Sequence, residues 1–103
     1  MSNTVLYSYS LNQAVADGVL VPVFRNRWDQ LSGSKPIVAT AAIFEELSLA
    51  AILEIWNAYV TWRTTVMPTL PEEERRFTAA MNGEAVWVLE DEQAFTVLYA
   101  DQY

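Results

Sequence analysis

Apolar and polar positions alternate at different periods along this chain, and the longest period-3.6 stretch lies at its centre. From Thr40 to Met67 (TAAIFEELSLAAILEIWNAYVTWRTTVM) there is neither Gly nor Pro. Ile52, Ile55, Trp56, Tyr59, Val60, Arg63 and Val66 recur at i, i+3, i+4 and i+7, the stripe of a helix that buries one side. Trp62 falls on the shoulder of that stripe. Thr40 is a cap candidate, with Ile43, Phe44 and Leu47 at helical spacing behind it. Ser48 is a second one, so the pattern predicts either one long helix or a short and a longer helix meeting at an angle. Pro68 ends the run.

Before this spine the signals are shorter. Val5, Tyr7 and Tyr9 alternate weakly over residues 1–9, as in an edge strand or arm. Ser10 reads as the N-cap of a helix over Leu11–Asp17, which Gly18 stops by supplying a left-handed C′ position. Val19–Phe24 (VLVPVF) is a strand that Pro22 confines to an edge or breaks. Arg25–Lys35 (RNRWDQLSGSK) is a basic loop made flexible by Ser32-Gly33-Ser34, and Ile37–Ala39 is a short apolar strand.

Behind the spine the period becomes two. Pro71 and Glu72-Glu73-Glu74 form an acidic loop or the first turn of a brief helix, where acids favour the positive end of the dipole. Arg75–Met81 and Glu84–Glu90 flank Asn82-Gly83, a two-residue hairpin signal because both turn positions need positive φ. Asp91-Glu92-Gln93 is a second turn and Ala94–Tyr99 a third strand, with Trp87 and Phe95 expected as cross-strand neighbours or near neighbours. The expected fold is α+β: a three-stranded antiparallel meander packed on the long or broken central helix, with a short N-terminal helix. Val19–Phe24 and Ile37–Ala39 are candidates to extend the sheet.

Composition narrows the function more than the fold. One hundred and three residues, 52% of them apolar and 18% charged, make a single globular domain over residues 1–103. Without Cys there is no disulfide and no thiolate chemistry, which fits a reducing cytoplasm. The opening MSNTVLYSYS lacks the basic-then-apolar pattern of a signal peptide. Glu45, Glu46, Glu54 and Arg63 interrupt the spine, so no membrane span is expected. The formal charge of −7 opposes direct binding to nucleic acid or anionic membrane. It serves either solubility or a surface that meets a basic partner, as a nucleic-acid mimic would.

With no His and no Cys, triads built on histidine and zinc sites built on those ligands are excluded within the chain. Three Gly leave no phosphate-cradling loop. Carboxylates remain. Glu46 and Glu54 share a helix face but are about 12 Å apart along the axis, too far for a tight pair. Glu72–Glu74 and Glu90-Asp91-Glu92 do not match the alternating oxygens and central Gly of a calcium loop. No cofactor or metal is expected, and an enzyme using only carboxylates ranks third among the functional readings. Arg63 either lays its stem over the core with its head in water, or pairs with an acid, or stacks on Trp56 or Tyr59. Trp56 and Trp87 are core candidates. Trp28, between Arg25, Arg27 and the Gly-Ser turn, is either a packed loop anchor or an exposed contact residue.

Tyr9-Ser10, Gln13-Ala14 and Asp17-Gly18-Val19-Leu20-Val21 together resemble the opening block of a family of small acidic proteins carried by bacterial phages, plasmids and other mobile elements, a domain of unknown function. Pro36-Ile37-Val38-Ala39-Thr40 with Ile43-Phe44 resembles its next block, and AFTVLYADQY its acidic terminal strand. Ser48–Glu74 has no counterpart that aligns. The resemblance hands over no catalytic residue. It implies a mobile-element protein in the cytoplasm of a host cell, acting there on a host protein or nucleoprotein complex such as a CRISPR effector, as anti-CRISPR and other anti-defence inhibitors do. In that reading the partner-binding residues are Glu72, Glu73, Glu74, Glu90, Asp91 and Glu92, set against basic residues of the partner. Trp28, Arg25 and Arg27 form a second contact. The alternative is a structural or homo-oligomeric accessory protein with Trp62 in a symmetric helix–helix interface.

Overall fold

A computed structural model describes residues 10–103 of the chain; the weakly alternating stretch 1–9 lies outside the described residues. The architecture is α+β, a five-stranded mixed sheet with helices on it. The first helix, α1, spans Leu11–Ala16, one residue shorter than expected. Ser10 Oγ accepts from the Gln13 amide, and Gly18 (φ 75°) closes the other end. There the Gly18 amide donates to the Val15 carbonyl and the Val19 amide to that of Ala14. These two bonds are a Schellman motif, which turns the chain directly into β1, Leu20–Pro22.

Strand β1 is half as long as Val19–Phe24 predicted. Pro22 is its last residue, and Phe24 adopts a left-handed φ of 56° that no strand residue takes. The basic segment is more ordered than a flexible loop. A 3-10 turn over Arg25–Arg27 leads into α2, Trp28–Leu31, and the Ser34 amide donates back to the Trp28 carbonyl. Strand β2, Ile37–Thr40, follows. Thr40 then caps α3, Ala41–Glu46, and Ser48 caps α4, Leu49–Thr65, so the spine is two helices and both cap residues work as read. Short 3-10 turns over Met67–Thr69 and Glu72–Glu74 carry the chain to β3, Phe77–Met81. Arg75 and Arg76 stay outside that strand. Asn82 and Gly83 take φ of 55° and 80°, the hairpin turn expected of them, and lead into β4, Glu84–Glu90. Strand β5 is Phe95–Tyr99, and a last 3-10 turn spans Ala100–Gln102.

The strand order is β1-β2-β5-β4-β3. The meander β3-β4-β5 is antiparallel as predicted. Both candidate strands extend it: β2 pairs with β5 in parallel and β1 with β2 in antiparallel. Period-two alternation then sorts the residues. Ile37, Ala39, Phe77, Val86, Val88, Phe95, Val97 and Tyr99 face Ile43, Leu47, Ile52, Ile55, Trp56 and Tyr59 of α3 and α4 in the main core. Trp56 meets Phe95 edge-on at 4.9 Å, and Tyr59 meets Phe77 edge-on at 5.6 Å. On the opposite face α1 covers Leu20, Val38 and Ala94 in a smaller cluster.

Two expectations fail on that alternation. Trp87 lies opposite Leu98, and Phe95 opposite Glu90, so the two aromatics sit on opposite faces of the sheet and are not neighbours. Trp87 is half-buried, under the Arg76 guanidinium at 4.2 Å and edge-on to Tyr103 at 5.5 Å. Val60 and Val66, counted in the helical stripe, are exposed, because the sheet meets α4 along a strip only as wide as Ile52, Ile55, Trp56 and Tyr59. Among the described residues no helix is long and apolar enough to cross a membrane.

Candidate functional site

Strand register divides the charged residues between the two ends of the sheet. One end holds the start of β2, the end of β4 and the starts of β3 and β5. All six basic residues attach there: Arg25, Arg27 and Lys35 in the β1–β2 connection, Arg63 on the last turns of α4, and Arg75 and Arg76 before β3. Seven acids share that end: Asp29, Glu72, Glu73, Glu74, Glu90, Asp91 and Glu92. The other end holds the β3–β4 turn, the end of β5 and the turn into α3. It carries Asp17, Glu45, Glu46, Glu84 and Asp101, with Glu54 on the N-terminal half of α4, and no Lys or Arg. The net charges of −1 and −6 account for the total of −7.

At the mixed end Glu90 is a clasp. Its Oε2 meets Lys35 Nζ at 3.1 Å and its Oε1 meets Arg63 Nη2 at 2.9 Å. Both cations also lie over the Phe95 ring, at 5.1 and 5.7 Å from its centre. One carboxylate therefore ties β4 to the start of β2 and to α4. Arg63 both pairs with an acid and covers an aromatic ring, although the ring is Phe95 and not Trp56 or Tyr59. Burial first, and the Glu90 charge after it, push the Tyr59 hydroxyl above its ordinary range, while Arg63 acts against them.

The residues that sequence reasoning put forward as partner contacts are all at this mixed end. Glu72, Glu73 and Glu74 are exposed on a 3-10 turn and Glu92 on the β4–β5 turn. Glu90 is occupied as described. Asp91 Oδ1 accepts from the Gln93 and Ala94 amides, shaping the turn. Trp28 is anchored: its Nε1 donates to the Val23 carbonyl at 2.7 Å, and the Arg25 guanidinium covers its ring. The same ring lines a shallow groove with Leu11, Val15, Pro22 and Pro36. Arg27 is exposed.

The acid-only end is the part that sequence reasoning missed. An open cleft of about 440 Å³ lies there, lined by Ala42, Glu46, Asn82, Glu84, Tyr99, Asp101 and Gln102. Tyr99 donates its hydroxyl to Glu46 Oε1 at 2.8 Å. Burial, the bond to Glu46 and the charges of Glu46, Glu84 and Asp101 together push that hydroxyl up to about 12. Gln102 Oε1 accepts from the Thr40 hydroxyl and from the Tyr99 amide, which fixes the terminal turn against the start of α3. Glu45, Glu84 and Asp101 are exposed, with side chains outside this network. The convergence of Glu46, Glu84 and Asp101 on the cleft was hidden because they are separated by up to 55 positions in sequence, and only the strand order brings them to one end. Among the described residues no group of acids is arranged to hold a metal ion. No family model matches this chain, and neither a curated protein nor a solved structure does.

Proposed function

We propose that this protein is a non-enzymatic binding protein of a phage or other mobile element, and that it occupies a basic, nucleic-acid-binding groove of a host machine in the manner of anti-CRISPR and anti-defence inhibitors. The observation that carries the reading is the segregated charge. Six acids at one end have no base among them. The side-chain ion pairs Lys35–Glu90 and Arg63–Glu90 lie at the other end. Surface charge that served only solubility would have no need to be sorted in this way. Clustered carboxylates of one sign create a field that steers a basic partner in and competes for the cations that otherwise hold phosphates. The Tyr99–Glu46 bond and the Gln102 bonds hold the cleft behind those acids in shape, so the acidic surface is presented on a rigid support. The resemblance of the Tyr9–Val21 block to mobile-element proteins supplies the genomic setting of the proposal.

The test is capture of partners from a bacterial lysate on the immobilised protein, with and without nuclease, read by mass spectrometry. A nuclease-resistant complex with a nucleic-acid-binding protein, weakened by salt, is the expected result. Recovery of the protein without such a partner would count against the inhibitor reading and favour the structural alternative.

A further inference from the structure

The two edges of the sheet are not alike. Strand β1 is three residues long and ends on Pro22, which has no N–H to offer a further strand. Strand β3, FTAAM, has neither Pro nor Lys, and no described strand lies beyond it. The hairpin turn fixes which of its backbone groups are free. With two residues in the turn, Met81 and Glu84 form the closing hydrogen-bonded pair, and Ala79–Val86 and Phe77–Val88 are the next such pairs. The N–H and C=O groups of Thr78 and Ala80 therefore point away from β4, into solvent. Thr78 and Ala80 are exposed and their side chains are small.

We propose that the β3 edge pairs in antiparallel with the β3 edge of a second copy, about a two-fold axis at Ala79, giving a continuous ten-stranded sheet. Centring on Ala79 uses the whole strand. Phe77 then lies opposite Met81 of the second copy on the helix side, and Thr78 opposite Ala80 on the other. The Thr78–Ala80 pairs supply about four backbone hydrogen bonds. The Arg75 and Glu84 charges favour a second copy in this direction. Antiparallel pairing places the mixed end of one molecule beside the acid-only end of the other and keeps the two −6 ends apart. Arg75 lies opposite Gly83 in that register, next to Glu84 of the second copy. Arg75 Nε donates to the Leu70 carbonyl at 2.9 Å, which leaves its terminal amino groups for Glu84, and two strand spacings, about 10 Å, are within the combined reach of the two side chains.

The experiment is sedimentation equilibrium from about 5 to about 500 µM, on the full chain and on three variants. Ala80→Pro removes an N–H that β4 does not use, and Ala80→Lys keeps the backbone but places a charge at the edge. Arg75→Glu sets like charges opposed, and its combination with Glu84→Arg restores opposite ones. The full chain is expected to dimerise in this range, with at least about a tenfold weaker constant in either Ala80 variant. Arg75→Glu is expected to weaken the dimer and the double exchange to recover it. Should Ala80→Pro fail to fold, Ala80→Lys decides. A monomer throughout the range overturns the proposal. So does a dimer that neither Ala80 variant weakens, or capture of a strand from a different protein by a chain that remains monomeric alone.

Discussion

Replacing Glu90 by Gln tests whether this carboxylate is a structural clasp. Gln keeps the size and the capacity to accept a hydrogen bond, so the change isolates the charge. Two cations lose their counter-ion at once, at 3.1 and 2.9 Å, and both remain held over Phe95. At about 3 Å and an effective dielectric constant of about 20 the bare attraction is about 5 kcal/mol per pair. Most of that is offset by desolvation and by fixing long side chains. The three side chains are 24–43% exposed, and pairs in such surroundings retain about 0.2–1 kcal/mol each. The repulsion between Lys35 and Arg63, no longer screened by Glu90, adds a few tenths of a kcal/mol by the same scale. The expected loss is about 1–2 kcal/mol, or about 5–10 °C in Tm for a domain of this size. Urea unfolding at low salt measures it, with the slope unchanged from the parent. In about 1 M NaCl, where the Debye length is about 3 Å, the difference should shrink by half or more. A loss below about 0.3 kcal/mol at low salt, or one that salt leaves unchanged, would refute the clasp.

Three further outcomes follow from the core, the turn and the cleft. Ile52→Ala removes a fully buried side chain between α4 and the sheet and should cost about 2–5 kcal/mol in the same urea assay. Asn82→Ala puts a residue that disfavours positive φ at the first position of the hairpin turn, with a cost of about 1 kcal/mol, read as a lower Tm. In a spectrophotometric alkaline titration Tyr99 should lose its proton late, near about 12, because it is buried and bonded to Glu46, and Glu46→Gln should bring it earlier. The unfolded chain gives up this proton near pH 10. The stability that neutral Tyr99 contributes is thus complete below about pH 10 and is lost as pH rises toward 12.

Those outcomes draw on parts of the fold that were unequally legible. Local chemistry was enough wherever one or two residues fix the backbone: Thr40 and Ser48 as caps, Gly18 after α1, Asn82-Gly83 in the hairpin. It failed where long-range pairing decides. Phe24 carries a strand-like side chain but turns into αL, because its neighbour Trp28 is bonded to the Val23 carbonyl and draws the chain into α2. Trp87 and Phe95 were read as neighbours because both sit in strands of one hairpin. The register Glu90–Phe95 puts them an odd number of residues apart across the pair, hence on opposite faces. The candidate site was the least legible. Sequence clusters drew attention to Glu72–Glu74 and Glu90–Glu92, where the fold also brings every base. Glu46, Glu84 and Asp101 lie far apart in sequence, and only the parallel β2–β5 pairing with the antiparallel β4–β5 pairing brings them to one cleft.

The most direct measurement of the central proposal compares two charge-reversed proteins in the lysate capture. One carries Glu45→Lys, Glu84→Lys and Asp101→Lys at the acid-only end, where those side chains take no part in the Tyr99–Glu46 and Gln102 bonds. The other carries Glu72→Lys, Glu73→Lys and Glu74→Lys at the mixed end. If the acid-only end is the contact surface, the first loses the nuclease-resistant partner and the second retains it. Retention by the first protein, with folding and Tm unchanged, would contradict the account.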